Sequence, residues 1–566
     1  MRKRPETALR YTAERERRRV GWLKRALLAY YACFALSIHP ATAQDPQRDT
    51  LIPSFADLEA AGAVIGEIRV DNRNIFDLDD PKENALLFRL ANTLHIRTRP
   101  SVIARQLLFK SGEPVSVRLI DESERLLRAS RYLYDVTIRP IAYRDGVVDI
   151  EVSTQDTWTF EPGIRFSRQG GSNTSAATLK EKNLLGTGVS IGYARTSEID
   201  RTGSEFSVSY PHALGGRTAI GYSRAKLSDG SANSFSLNRP FFALDTRWAA
   251  GISVSNNDLI ESIYSGGAII AQYRHRRDST EAHWGWSAGL IEGWTRRHTI
   301  GLSHSDNVYE LEPALVAPAQ LPADEKLVAP FYRYEVIQDD TEKRKNRNLV
   351  GRTEYFALGF RSAVQLGRAM KSLGSSRELW LYSAQIGDGY KILSDRDLLA
   401  SAALSGQYGD GRGERQKLGF AIRYFVPNGK NAVFYVSIAS DVVRNPYPED
   451  RLYLGGSTGL RAYPLRYQIG DQRTLITVEQ RVFTDWYPFR LLRVGGAVFY
   501  DIGRAWGGEN QTNVNGRWLS GFGFGLRILS ARTAAGNVLH LDFAFPHDPD
   551  TNVKSFQFLV RTRLSF

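Results

Sequence analysis

One arginine and two carboxylates stand out in the last quarter of the chain. Arg461 follows a glycine-rich run, Gly455-Gly456-Ser457-Thr458-Gly459, and is flanked by Leu460 and Tyr463. Downstream, Glu479 sits in Thr477-Val478-Glu479-Gln480-Arg481, and Asp501 in Phe499-Tyr500-Asp501-Ile502-Gly503. Both stretches read as strands. Glycine turns a backbone sharply because it accepts φ > 0 without steric cost. A guanidinium keeps its proton and matches a carboxylate bidentately. An arginine carried by such a loop into a barrel lumen needs a partner of the kind Glu479 and Asp501 offer, so the chemistry is that of an anchor. The same run formally fits a hydrolase nucleophile pattern around Ser457. That pattern works only on a strand-turn-helix elbow, and no helical pattern follows here. His275, His283, His298 and His304 lie close in sequence, but no pair has metalloprotease spacing. The residues point to no enzyme, no cofactor and no metal.

The elements that must position this anchor are short strands. From Trp158 to Phe566 no apolar run is long enough for a helix across a membrane, which takes about 20 residues. Apolar residues instead recur at every second position. Leu418, Phe420, Ile422, Tyr424 and Val426 mark one segment, Pro427-Asn428-Gly429-Lys430 turns the chain, and Phe434, Val436 and Ile438 alternate on the return. Nine of the ten Trp lie at or after Trp158, enough to form aromatic girdles. Such segments are the pattern of a transmembrane antiparallel β-barrel, which must close because lipid tolerates no open sheet edge. The last segment puts Phe556, Phe558, Val560, Thr562, Leu564 and Phe566 on one face and Gln557, Arg561, Arg563 and Ser565 on the other.

Residues 1–43 read as a secretory signal peptide: a basic start, an apolar run from Ala26 to Ile38, and Ala41-Thr42-Ala43 as a cleavage site. Ten Lys/Arg against three Asp/Glu in this segment account for +7 of the net +13. The remainder is too dilute to suggest a nucleic-acid partner. The only cysteine, Cys33, lies in the signal. Residues 44–62 read as a linker. Residues 63–155 read as a small α+β domain: a strand over Ala63–Val70, a long connection with a helical turn or two at Leu86–Ala91, helices from Pro100 to about Phe109 and after Ser116, and strands over Leu133–Ile141 and Val147–Thr154, joined by Asp145-Gly146. Residues 156–566 read as the barrel.

The stretch Leu460-Arg461-Ala462-Tyr463, after its glycines, resembles the loop signature of the BamA/TamA-type outer-membrane assembly superfamily (the bacterial surface antigen family). The usual third residue there is Gly, and Ala462 departs from it. The segment with Asp501 and Gly503 resembles the family strand whose Asp meets the loop Arg. The small domain, with Phe109-Lys110-Ser111-Gly112-Glu113-Pro114 and Tyr132-Leu133-Tyr134-Asp135-Val136, resembles a single POTRA domain. The terminal Phe566 resembles the family's barrel-recognition signal. The resemblance implies a mainly β protein with sixteen barrel strands and one POTRA-like domain in the periplasm, resident in the cell outer membrane. About twenty candidate segments occur, and the surplus between about Asn256 and Gly367, with its prolines and the charge run Asp339–Arg347, is expected to form long extracellular loops. The implied function is insertion or assembly of outer-membrane proteins, or translocation of polypeptides. The first and last strands, within Trp158–Ser167 and Ser555–Phe566, would open as a seam. Implied partners are outer-membrane lipid, unfolded outer-membrane or secreted clients, and accessory periplasmic or lipoprotein subunits. A dedicated secretion pore for one partner and a lipid-handling or structural barrel stay open as alternatives. Leu460, Arg461, Tyr463, Glu479, Asp501 and Gly503 are the expected lumen-loop set.

Overall fold

The computed structural model describes residues 52–563, apart from 131, 394, 509–515, 533–537 and 552. The expected signal peptide and Phe566 lie outside the described residues.

The N-terminal domain runs α1 (Phe55–Ala60), β1 (Val64–Arg73), α2 (Leu86–Leu94), α3 (Pro100–Ala104), α4 (Val117–Ala129), β2 (Leu133–Arg144) and β3 (Val147–Asp156). Its sheet has the order β1-β3-β2, with β3 parallel to β1 and antiparallel to β2. Asp145 and Gly146 both take positive φ, as a two-residue hairpin between right-twisted strands requires. Leu58, Ile65, Ile103, Leu127, Val136 and Ile150 fill the core. The segment read as a linker holds α1. Ser54 caps it in a reciprocal bond with Asp57, and Leu58 is fully buried. Six residues, with only Phe55 and Leu58 turned to the core, are too few to set a helical period. The helix expected to reach Phe109 stops at Ala104.

The barrel strands are β4 (Phe160–Gln169), β5 (Ser172–Leu184), β6 (Val189–Ser197), β7 (Thr202–His212), β8 (Thr218–Leu227), β9 (Gly230–Arg239), β10 (Trp248–Ser265), β11 (Ala268–Ile291), β12 (Trp294–Glu310) and β13 (Glu325–Gln338). A separate hairpin, β14 (Thr341–Lys345) with β15 (Thr353–Ala357), interrupts the wall. The wall resumes with β16 (Arg361–Ala369), β17 (Leu379–Lys391), β18 (Asp397–Gly409), β19 (Arg412–Pro427) and β20 (Ala432–Arg444). β21 (Leu452–Leu454) and β22 (Gln468–Gly470) pair inside a long loop. β23 (Gln472–Phe483), β24 (Leu492–Trp506), β25 (Leu519–Ser530), β26 (Val538–His547) and β27 (Gln557–Arg563) bring the chain back to β4.

The closed barrel therefore has 20 strands, not sixteen. Most of the surplus region is wall: β10, β11, β12 and β13 pair in long ladders, with register shifts at Ile263–Tyr264 and Ser287–Leu290, while residues 311–324, with Pro313, Pro318 and Pro322, form the long loop expected of them. The sequence hides it where β10, β11 and β12 run side by side, because there they are polar on both faces, as in Arg274-His275-Arg276-Arg277-Asp278. Cross-strand ion pairs stand in for the apolar alternation: Arg274–Asp258 at 2.7 Å and Arg276–Glu310 at 3.0 Å. Elsewhere the outward face is an apolar band suited to lipid, with rows such as Tyr500, Phe522 and Phe545 in register. The charge run Asp339–Arg347 does not lie in an outer loop. It enters β14, at the end of the barrel where the N-terminal domain sits.

That domain closes on the barrel's near mouth. Thr98 Oγ1 accepts from Asn183 Nδ2 at 2.8 Å, Gly186 O from Arg99 N at 2.9 Å, Leu107 O from Arg217 Nη2 at 3.0 Å, and Glu122 Oε1 from Leu244 N at 2.9 Å. Burial pushes the Glu122 carboxyl up, against the pull of the Leu244 N–H and of Arg125 and Arg118. The turns β5–β6, β7–β8 and β9–β10 thus each hold the domain.

Candidate functional site

The far-end loop between β20 and β23 folds back into the lumen, and its sequence explains why. Gly455, Gly456 and Gly459 all take positive φ, so the chain reverses within a few residues. Arg461 is delivered to the inner wall with about 5 % of its surface exposed. Its Nε and Nη2 each lie 2.7 Å from an Asp501 oxygen, and Nη1 lies 2.7 Å from Glu479 Oε1. The guanidinium also lies over the Phe499 ring, 3.4 Å from its centre. Asp501 and Glu479 face inward from β24 and β23, because residues two apart on a strand share a face. Leu460 and Tyr463 are fully buried, and the Tyr463 hydroxyl donates to His547 O at 2.9 Å. Gly503 leaves room beside Leu454 and the Thr474 carbonyl, where a Cβ would crowd both. All six expected loop residues thus converge on one wall.

Ala462 does not carry the backbone strain. Leu460 does, with φ of 46°, a left-handed conformation that costs a non-glycine residue about 1–3 kcal/mol. Ala462 fits because it faces Gly521, where a Cβ would come within 2.5 Å of its own. Ser457 lies exposed in a single 3-10 turn, with no α-helix behind it.

Several members of the site were not singled out in the sequence. Arg481, two residues beyond Glu479, donates to Glu479 Oε2 at 2.9 Å and to Arg347 O at 2.9 Å. It joins the far-end loop to the hairpin β14–β15 at the opposite mouth. In that hairpin Arg344 and Arg347 both reach the fully buried Asp397, at 2.9 and 3.1 Å. Glu354 accepts from the backbone N–H groups of Arg347, Asn348 and Leu349. Burial pushes its carboxyl up in spite of those bonds. Val350, Phe356 and Leu358 pack on Phe425, Val433 and Phe483 of the inner wall. Tyr355 donates to Glu124 of α4 at 3.1 Å. Further round, Asp542 on β26 sits between Arg527 at 2.5 Å and Arg561 of the last strand at 3.1 Å. The lumen wall from β23 to β27 thus carries two ionic clusters, Arg461–Asp501–Glu479–Arg481 and Arg527–Asp542–Arg561.

One readable signal for these clusters is the repeat Gly521-Phe522-Gly523-Phe524-Gly525 on β25. The phenylalanines face outward. The glycines clear the inner face for Ala462, Phe499 and Asp542. Gly523→Val would force its side chain onto the Phe499 ring and the Phe543 carbonyl. Overpacking of this kind costs about 1–3 kcal/mol. The expected result is a lower urea midpoint for the folded barrel; Phe522→Leu, on the outer face, leaves the midpoint nearly unchanged.

The seam is the other distinctive place. β26 and β27 stay in register from Ala544–Gln557 to Val538–Arg563. Between β27 and β4, among the described residues, the one register pair is Val560–Arg168. Ser167 Oγ adds a bond to Val560 O at 2.6 Å. Ile164, on the outer face of β4, is 92 % exposed. At the near mouth the seam is strapped by the domain's own β1–α2 connection and by the segment that follows the domain. Trp158 N donates to Arg532 O at 2.8 Å, Arg532 Nη1 donates to Ile75 O at 3.2 Å, and Arg532 pairs with Glu83. At the far end Leu465 N, from the Arg461 loop, donates to Gly170 O in the β4–β5 turn at 3.2 Å.

No protein-family model matches the chain, and no curated protein is similar to it in sequence. Solved structures are similar to it in shape. BamA from Haemophilus ducreyi lacking POTRA domains 1-3 is 12% identical over 88% of this chain and 85% of its own, with a TM-score of 0.36. CdiB from Escherichia coli is 12% identical over 88% and 76%, with a TM-score of 0.46. The FrpB iron transporter from Neisseria meningitidis is 10% identical over 77% and 88%, with a TM-score of 0.38. These likenesses are to large barrels of differing function and assign none to this chain.

Proposed function

We propose that this protein is an outer-membrane barrel that assembles or translocates polypeptides through its β27–β4 seam, and that its small domain acts as a single POTRA-like module in the periplasm. One observation carries the reading: among the described residues the ladder between β27 and β4 is the shortest in the wall, with Val560–Arg168 as its register pair and a bond from Ser167 Oγ to Val560 O. Each hydrogen bond there contributes about 0.5–1.5 kcal/mol net, so the seam is the least costly place to part the wall. The lumen is a poorer route, because the Arg461 loop enters it from one end and the β14–β15 hairpin from the other. A parted seam offers unpaired β4 and β27 edges, on which an extended client strand can form main-chain bonds. This mechanism needs no nucleotide, cofactor or catalytic residue. Accessory subunits would dock on the periplasmic domain.

Depletion of the protein followed by quantitative proteomics of outer membrane and medium tests the reading. A broad fall in other barrel proteins is the expected result. Loss of one secreted protein from the medium, with the outer membrane unchanged, would instead make it a dedicated secretion pore. If neither changes, polypeptide handling is wrong and a lipid-handling or structural role replaces it.

A further inference from the structure

The short helix α2 carries its leucines on its free side. Phe88 and Asn92 fix the attached side. Phe88 stacks on Phe76 with ring centres 4.4 Å apart, and Asn92 exchanges bonds with Phe76, accepting from its N–H at 3.1 Å and donating to its carbonyl at 2.8 Å. Leu86, Leu90 and Leu94 recur every fourth residue on the other side, with Leu87 beside them. All four are between 52 and 83 % exposed, and Ile96 continues the stripe. The domain's own core has no use for this face.

The stripe runs into the barrel's outer surface. Leu94 and Ile96 line a recess with Trp158, Phe160, Leu184 and Leu185. Phe160 opens β4, and its outer face continues through Ile164 and Phe166, both exposed. On the β23–β24 connection, Trp486 and Phe489 are exposed as well. Exposed Arg89 and Thr93 flank the leucines, and Arg97 and Arg99 follow. A leucine face with basic residues at its edge, continuous with a lipid-facing wall, suits the boundary between headgroups and acyl chains.

We infer that α2 is an interfacial helix that lies in the periplasmic leaflet beside the seam, and that phospholipid covers its leucine face. This rests on the membrane-barrel reading above. Immersed there, α2 ties the domain to the bilayer next to the strap formed by Glu83, Arg532 and Trp158, and holds lipid against the near end of β4.

The test uses the full chain with Cys33, the only native cysteine, replaced by Ser. Single variants Leu90→Cys and Leu94→Cys are labelled with an environment-sensitive fluorophore and reconstituted in phosphatidylethanolamine–phosphatidylglycerol vesicles. Phe524→Cys on the barrel's outer face and exposed Thr137→Cys on β2 serve as references. Nitroxide lipids labelled near the headgroup are expected to quench positions 90 and 94 several-fold more than position 137. Quenching at 524 but not at 90 or 94 would overturn the interfacial helix and leave the barrel reading standing. A blue-shifted but unquenched label at 90 or 94 would also overturn it, because protein would then cover the face. No quenching at 524 would remove the membrane-barrel premise itself.

Discussion

Replacing Arg461 with Ala is expected to lower the stability of the folded barrel by about 3–5 kcal/mol, the usual cost of leaving buried charges without their partner. Asp501 would keep only Thr477 Oγ1 among its side-chain donors at this site, at 2.8 Å, and Glu479 would keep Arg481. Both carboxylates are nearly inaccessible, so water cannot readily replace the guanidinium. The strained Leu460 conformation would lose the contacts that hold it. Arg461→Lys restores charge but not the three-pronged fork, so it recovers only part of the loss. The effect should spread: Glu479 orients Arg481, and Arg481 holds the hairpin at the Arg347 carbonyl. Urea midpoints and hydrogen exchange in detergent check both. Exchange is expected to rise in residues 455–467 and 345–350 together. A wild-type midpoint in Arg461→Ala would show that the anchor is not structural. Ser457→Ala, at an exposed position, is the matched control and should change nothing.

Asp397→Ala is expected to have the second largest effect, and at the opposite mouth. Arg344 and Arg347 converge on this one carboxylate with side chains 12% and 8% exposed. Arg344 would retain Glu342, and Arg347 only the Asp395 and Lys345 carbonyls. Two clustered cations without their shared anion cost about 3–5 kcal/mol if they stay buried. The less costly response is release of the hairpin from the lumen. Trypsin should then cut at Lys343, Arg344, Lys345 or Arg347 while the barrel stays intact, and the Tyr355–Glu124 link to α4 should break. Unchanged protease resistance together with an unchanged midpoint would mean that Asp397 does not hold the hairpin.

These sites differ in how far they could be read from residues alone. The Arg461 anchor was legible because it combines a glycine run, a cation that cannot lose its proton and two strand-borne carboxylates of fixed facing. Alternation in segments such as Leu418–Val426 carried the barrel. The strand number was not legible, because the middle stretches of β10, β11 and β12 are polar on both faces and pair there by cross-strand charge. The hairpin was not legible either. Its run Asp339–Arg347 has the composition of a solvated loop, and only the buried Asp397, some fifty residues on, gives it a place in the lumen. Arg481, Arg527 and Asp542 were hidden for a related reason. A lumen face tolerates charge, so an inward arginine on a strand looks like any other until its neighbours are known.

The central claim is that the wall parts between β27 and β4. Arg168 and Val560 face each other there, a spacing a disulfide can bridge. The most direct measurement is the level of outer-membrane client proteins in cells whose only copy carries Cys33→Ser, Arg168→Cys and Val560→Cys, before and after reduction. A second strain with Cys at Phe543 and Phe558, paired across β26 and β27, controls for the disulfide itself. The account predicts that the oxidised seam lock drops clients to the level seen on depletion, that a reductant restores them, and that the control lock is silent. Full client levels with a quantitatively oxidised seam would contradict it.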